Sequence, residues 1–147
     1  MSEKIAKFFD DKYLYAGLTY NGHALACAAA LATIEVYEEE NIFENARKVG
    51  KYLGKRLEEL KARHPSVGDV RYIGMFSALE LVKSRQTKEP MDLTPLKNFM
   101  LSNGVYAFHF QNIFFVVPPL IISEGQLDEG LNILDKGLAE LMDRQVA

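Results

Sequence analysis

The chain has a single cysteine, Cys27, and no run of 18 uninterrupted apolar residues. One cysteine excludes an internal disulfide and a cysteine-based metal cluster, which fits a reducing compartment. The missing apolar run argues against a transmembrane helix. The first residues, MSEKIAKFFDDK, alternate charged and apolar side chains and lack the apolar segment of a signal peptide. We therefore expect a soluble, cytoplasmic protein that does not contact a membrane.

An excess of either charge is also missing. The chain has 17 basic and 20 acidic residues, for a net charge of −3, and neither sign forms a block of the kind found in nucleic-acid-binding proteins. Nucleic acid is therefore not an expected partner. The acidic run at residues 38–40 is best explained as a solvated helix face.

Motifs that would identify a metalloenzyme or a hydrolase are absent as well. The three histidines, His23, His64 and His109, have no second histidine or carboxylate at the spacing of a metal site. The sequence contains no G-x-S-x-G, no Walker A loop and no G-x-G-x-x-G. We expect no metal site.

Helical periodicity is clear at three places. Ser2 can cap a short helix, and an alanine-rich helix follows the turn at Asn21-Gly22. An amphipathic helix is predicted from Asn41 to near Pro65. Its apolar stripe consists of Ile42, Ala46, Val49, Leu53, Leu57 and Leu60.

The second half of the chain contains the strand signals. Residues 66–82 read as a strand covered on two faces, with Gly68 and Gly74 marking a turn and a close backbone approach. Residues 83–93 form a polar loop, and Thr94-Pro95 starts a short helix that stops at Gly104. VYAFHF and NIFFVV predict a hairpin. Ser123 and Gln126 form a capping box for a last helix, whose apolar stripe is Leu127, Leu131, Leu134, Leu138 and Leu141. This order indicates an α/β fold with a small sheet packed on helices.

The segment LTYNGH places the polar residues Thr19, Tyr20 and Asn21 and the bare backbone of Gly22 at the start of the alanine-rich helix. Free backbone N–H groups at a helix N-terminus, beside a hydroxyl, suit a phosphate. The alternative is that Thr19 or Asn21 simply caps the helix. From composition alone, the capping interpretation is favoured.

Three segments together resemble the C-terminal part of the class III, pyridoxal-phosphate-dependent aminotransferases, the omega-amino-acid group with fold type I. They are GLTYNGHALACAAALATIEVYEEENI, VGDVRYIGMFSALELV and GVYAFHFQNIFFVVPPLIISEGQLDEGL. The resemblance covers nearly the whole chain and favours the phosphate interpretation of the turn. It implies that residues 1–40 are a remnant of the large cofactor-binding domain and that residues 41–147 form the small α/β domain. The sheet of this small domain would be mostly antiparallel, and a long helical linker region would precede it.

The resemblance also implies roles for particular residues. Thr19 would donate a hydrogen bond to the phosphate of pyridoxal 5'-phosphate in a neighbouring subunit, and Tyr20, Gly22 and His23 would shape the same turn. The Schiff-base lysine of the family precedes this turn by a few tens of residues. None of Lys4, Lys7 and Lys12 stands in the required context, so we expect the catalytic lysine to come from outside this chain.

The substrate side departs from the family pattern. Related enzymes place an arginine shortly after the GVY strand, where its planar fork pairs with a carboxylate. Here Phe110 takes that place, and His109 is an imperfect substitute because it is mostly uncharged at neutral pH. His109 is the candidate substrate-binding residue, and a different amino acceptor is expected.

Two functions remain open at this point. In the first, the chain is the C-terminal portion of an aminotransferase that acts on an amine and a keto acid such as pyruvate. It would be inactive alone and would be completed by an N-terminal segment or in a homo-oligomer. In the second, the chain is a non-catalytic oligomerisation or interaction module. A third interpretation, an unrelated helical adaptor, requires the motif matches to be coincidence.

Overall fold

The chain divides into two units, Met1–Glu39 and Glu40–Ala147, and the computed structural model describes residues 2–146. In the first unit, Ser2 immediately precedes helix α1, Glu3–Phe8. An irregular segment then leads to the turn at residues 19–22 and to helix α2, Ala24–Glu39. The two helices predicted here are confirmed. None of the residues of α2 is buried.

The second unit opens with the long helix α3, Ile42–Arg63. Asn41 precedes it in the left-handed conformation, with φ 52°. The predicted stripe is confirmed, since its apolar residues face the interior. The buried members are Ile42, Val49, Leu53, Leu57 and Leu60, and Ala46 is partly buried.

Residues 66–82 form two strands rather than the single strand predicted. Strand β1, Val67–Ile73, turns at Gly74-Met75 and pairs antiparallel with β2, Phe76–Leu81. The prediction was wrong because the turn has only two residues and is flanked by apolar residues on both sides. The segment therefore looks like one continuous apolar strand in the sequence. Gly74 has φ 57°, a conformation that glycine adopts without the strain a side chain would add.

The remaining strands and helices follow the prediction more closely. Residues 83–93 contain no helix, and α4 is Thr94–Ser102 with proline in its first turn. Strands β3, Phe108–Phe110, and β4, Ile113–Val116, form the predicted hairpin. Strand β4 also pairs with β2, so the sheet has the order β1-β2-β4-β3 and is antiparallel throughout.

Helix α5, Glu124–Gly137, begins with the predicted capping box, in which Ser123 and Gln126 bond to each other's backbone. It continues into a π-helical turn, Leu138–Met142, and a 3₁₀ turn, Asp143–Gln145. The predicted stripe is again on the interior side, with Leu127, Leu131, Leu134 and Leu138 buried and Leu141 partly buried. The change from α to π geometry was not predicted.

The two faces of the sheet differ. One packs against the helices and carries Val70, Ser77, Leu79 and Phe114, all buried. The register of the strands places ten residues on the opposite face, which we call the open face. They are Asp69, Arg71, Ile73, Phe76, Ala78, Glu80, Phe108, Phe110, Ile113 and Phe115. Within the described residues, no helix has the length and apolar character needed to cross a bilayer.

Candidate functional site

The turn before α2 is formed by two overlapping backbone hydrogen bonds. The Asn21 N–H donates to the Leu18 carbonyl at 3.0 Å, and the His23 N–H donates to the Tyr20 carbonyl at 3.3 Å. Gly22 lies between them with φ 70°. Because L side chains rarely adopt this φ, a substitution there would strain the turn.

His23, rather than Thr19 or Asn21, caps α2. The Ala26 N–H donates to His23 Nδ1 at 3.4 Å, and the Cys27 N–H donates to the His23 carbonyl at 2.9 Å. A capping side chain must lie directly before the first helical residue. The helix begins at Ala24, so the capping alternative stated for Thr19 and Asn21 was wrong.

The turn has the groups that an anion needs. In the part of the chain that the structure describes, the Thr19 hydroxyl has no hydrogen-bond partner, and the N–H groups of Ala24 and Leu25 have no backbone acceptor. Residues 13–34 include no lysine, arginine, aspartate or glutamate. A hydroxyl and free N–H groups at the positive end of a helix attract a phosphate. These residues therefore fit the phosphate of pyridoxal 5'-phosphate.

His109 lies in the second unit, at the centre of β3. It pairs with the buried residue Phe114, so its ring is on the helix side of the sheet. Its Nδ1 is 3.1 Å from the Gln111 carbonyl, to which it can donate. Phe110 lies on the open face, with Phe108 beside it. His109 and Phe110 thus point to opposite sides of the sheet.

His109 affects the pKa of one carboxylate, that of Asp92, which lies shortly before α4. Its Oδ1 accepts from the Thr94 hydroxyl at 2.7 Å and from the Thr94 N–H at 3.0 Å. These two hydrogen bonds are the main reason why the pKa of Asp92 lies below its usual value, and attraction to His109 adds to the lowering.

Four of the ten residues of the open face are phenylalanines, and the sequence prediction did not identify this face as a unit. The ring of Phe115 lies 5.5 Å from that of Phe108 and 6.1 Å from that of Phe76. Phe76, Phe108 and Phe110 are each more than half exposed. The alternation within VYAFHF could have placed Phe108 and Phe110 on one face, but the contribution of β2 depends on strand order.

Arg71 is the cation of the open face, and it is already paired. Its Nη1 lies 3.3 Å from Glu80 Oε2 and 3.9 Å from Asp69 Oδ2. The face therefore offers a carboxylate no unpaired guanidinium. Among residues 2–146, no three His, Cys, Asp or Glu side chains are grouped so that they could hold a metal ion.

Known proteins are similar to this chain in both sequence and fold. The family model for class III aminotransferases matches residues 1–138. The adenosylmethionine-8-amino-7-oxononanoate aminotransferase of Methanocaldococcus jannaschii is 39% identical over 128 residues, which cover 84% of this chain and 28% of that protein. The taurine–pyruvate aminotransferase of Bilophila wadsworthia is 37% identical over 137 residues, covering 86% of this chain and 30% of that protein.

A solved structure extends the likeness to three dimensions. The taurine:2-oxoglutarate aminotransferase from Bifidobacterium kashiwanohense, in complex with PLP and glutamate, superposes with a TM-score of 0.87 at 35% identity. The match covers 99% of this chain and 34% of that one.

The fold is thus that of a portion of the fold type I transaminases, as the sequence predicted. The chain belongs to the class III aminotransferase family, whose members depend on pyridoxal 5'-phosphate. It spans about a third or less of the length of the relatives it matches.

Proposed function

We propose that this chain is the C-terminal portion of a class III aminotransferase that transfers an amino group from an amine or omega-amino acid to a keto acid such as pyruvate. The match over residues 1–138 carries this proposal. The similarity to a taurine–pyruvate aminotransferase supports the substrate classes. Pyridoxal 5'-phosphate, when bound, supplies the electron sink that amino-group transfer requires.

The part played by this chain's own residues is to hold the cofactor phosphate. Thr19 donates its hydroxyl hydrogen bond, and the N–H groups of Ala24 and Leu25 supply further donors at the positive end of α2. Gly22 maintains the turn, and Tyr20, whose ring lies 5.4 Å from that of His23, packs beside the cap. Following the family pattern, the phosphate belongs to a neighbouring subunit of a homo-oligomer.

The lysine that binds the cofactor covalently is proposed to come from other polypeptide sequence, on the same or a separate chain. The early lysines of this chain have other surroundings. Lys7 pairs with Glu3 at 2.9 Å, and Lys12 lies 4.0 Å from the centre of the Phe8 ring. We therefore expect the chain alone to be inactive.

The experiment is to incubate the chain with pyridoxal 5'-phosphate, reduce with borohydride and map modified lysines by mass spectrometry. The expected result is no stoichiometric label at any single lysine and no amino transfer from taurine to pyruvate. Stoichiometric labelling of one lysine together with measurable transfer would contradict the proposal. The family enzyme from Bilophila wadsworthia, treated in the same way, is the positive control.

The amino acceptor is proposed to differ from that of relatives with an arginine after the GVY strand. Phe110 and Phe108 lie on the open face where no free guanidinium is present, and Arg71 is neutralised by Asp69 and Glu80. An arginine fork recognises a carboxylate far better than an aromatic ring does. His109 remains the candidate polar contact on the other side of β3.

A second candidate function is a non-catalytic oligomerisation module, favoured because the apolar helix α2 has no buried residue. Large exposed apolar surfaces usually mark an interaction site. This function predicts a dimer or larger assembly that resists dilution and has no affinity for the cofactor. Sedimentation velocity at decreasing concentrations checks it, and a monomer at all concentrations would argue against it.

A further inference from the structure

His64 follows the last residue of α3 and is buried, with 5% of its surface exposed. Its Nδ1 lies 2.7 Å from Asp143 Oδ2, and its Nε2 lies 2.5 Å from Asp135 Oδ1. Both ring nitrogens therefore face carboxylate oxygens. A neutral imidazole has one N–H and one lone pair, so only the doubly protonated ring can donate to both carboxylates.

The surrounding charges match a protonated ring. Arg63 Nη1 pairs with Asp135 Oδ2 at 2.8 Å. Two carboxylates thus face two cations when His64 is charged, and one cation when it is neutral. From the 83–93 loop, Arg85 donates to the His64 carbonyl at 2.7 Å.

Asp143 also binds Ser66, the residue immediately before β1. Its Oδ1 accepts from the Ser66 hydroxyl at 2.5 Å and from the Ser66 N–H at 3.2 Å. Asp143 therefore joins the end of the chain to residues more than 70 positions earlier.

The π-helical turn explains how both carboxylates reach one ring. In an uninterrupted α-helix, positions eight residues apart are separated by about 80° around the axis. Leu138–Met142 lies between Asp135 and Asp143. Because a π-turn closes one residue later than an α-turn, it rotates less per residue and brings Asp143 toward the side of Asp135.

We propose that His64 is a pH-sensitive clasp, which joins the end of α3 and the start of β1 to the last turns of the chain, Leu138–Gln145, while its ring carries both protons. When the ring loses one of these protons, a nitrogen lone pair faces a carboxylate oxygen. The clasp then loses one of its two contacts, and the last turns loosen. No step of the proposed aminotransferase function uses this cluster.

The first test compares thermal unfolding of the full chain at pH 6.0 and pH 8.5. The sign follows from the geometry: the clasp has both of its contacts only when both ring nitrogens carry a proton. The stability that the clasp supplies is therefore expected at the lower pH and should decline as the pH rises. A midpoint decrease of about 3–5 °C is expected in the wild type. His64→Gln should have a lower midpoint at pH 6.0 and a weaker pH dependence.

His109→Gln is the matched control, because it removes the other histidine of the second unit, whose Nδ1 faces the Gln111 backbone carbonyl. It should keep the wild-type pH dependence. An unchanged dependence in His64→Gln, or a dependence lost in His109→Gln instead, would overturn the proposal.

A second measurement needs no variant and so does not depend on whether His64→Gln folds. Nitrogen NMR of the histidine rings should show two protons on His64 at pH 6.0 and one at pH 8.5. Amide-exchange protection at residues 143–146, corrected for intrinsic rates, should decrease over the same range. Titration of His64 without that decrease, or no titration, would overturn the proposal.

Discussion

Gly50 in α3 lies against the turn between β1 and β2 at the distance of backbone contact. A Cβ added at this position would be 2.8 Å from the carbonyl carbon of Gly74 and 2.9 Å from its Cα. Neither atom belongs to a flexible side chain that could move aside. Gly50, which lies 24 residues before Gly74, therefore explains the predicted close backbone approach at Gly74.

The substitution Gly50→Ala is expected to destabilise the second unit by about 1–3 kcal/mol, the usual cost of overpacking. Gly130→Ala in α5 is the matched control, because a Cβ there meets nothing within 4 Å. That change should stabilise the protein by about 0.5–1 kcal/mol through helix propensity. Urea unfolding followed by circular dichroism measures both, and equal effects would contradict the argument.

Asp69 on β1 gives a prediction about acid sensitivity. Its pKa is lowered mainly by the hydrogen bond from Lys61 Nζ at 2.9 Å, and also by the Val70 N–H and the charges of Lys61 and Arg71. A carboxyl with a lowered pKa stabilises the folded state above its usual range, and this stabilisation is lost as the pH falls through the lowered value.

The stability advantage of the wild type over Lys61→Gln should therefore shrink between pH 5 and pH 3. Because both side chains are about one-third exposed, the difference at pH 5 should be below about 1 kcal/mol. Lys51→Gln, at an exposed position of the same helix, should give a difference that does not change with pH. Denaturant unfolding across this pH range provides the values.

At the scale of elements, two helices begin at serine, but only one serine side chain caps. Ser123 accepts from the Gln126 N–H at 3.3 Å, and Gln126 Oε1 accepts from the Ser123 N–H at 3.1 Å. Ser2 precedes α1 without a side-chain cap bond. Sequence spacing distinguishes the two cases, since only Ser123 has a glutamine three residues later.

Ser123→Ala should lower the free energy of unfolding by about 1 kcal/mol, because α5 loses an acceptor for an unpaired N–H at its start. Ser2→Ala should leave the free energy of unfolding unchanged. Chemical denaturation of both variants and the wild type under one condition gives the comparison, and a similar loss in both would show that capping is not the cause.

The elements that the sequence predicted are those with local signals. The stripe of α3, the capping box of α5 and the hairpin at Gln111-Asn112 are each readable within a few residues. The β1–β2 hairpin was missed because the second residue of its turn, Met75, is apolar and buried. The π-helical turn was missed because no local sequence signal marks it, and the contact beside it joins Asp143 to His64, 79 residues earlier.

At the scale of the molecule, all buried core residues among residues 2–146 lie in the second unit. The core cluster runs from Val49 to Met142 and includes residues of every helix and strand except α1, α2 and β3. No residue of α2 is buried. Stability of the described chain therefore depends on residues 40–147.

A shortened chain of residues 40–147 should unfold cooperatively, with a midpoint within roughly 2 °C of the full chain. A peptide of residues 1–39 should be less helical than the same segment in the structure, since a short isolated helix is marginal in water. Calorimetry and circular dichroism test these two outcomes. Failure of residues 40–147 to fold would contradict the assignment of the core.

The candidate site was only partly readable from the sequence. The turn at Thr19 and Gly22 was found because its residues are contiguous and match the family pattern. The open face was not, because Phe76, Phe108 and Phe115 come together only through the strand order β1-β2-β4-β3. The role of His23 as the cap was also missed, since histidine is not among the usual capping residues.

The open face also bears on how the isolated chain behaves at high concentration. Phe76, Phe108, Phe110 and Ile73 are each more than half exposed, while a net charge of −3 gives only weak repulsion between molecules. Flat aromatic surfaces associate more readily as concentration rises. The open face is thus one of the surfaces through which molecules of the isolated chain are expected to associate.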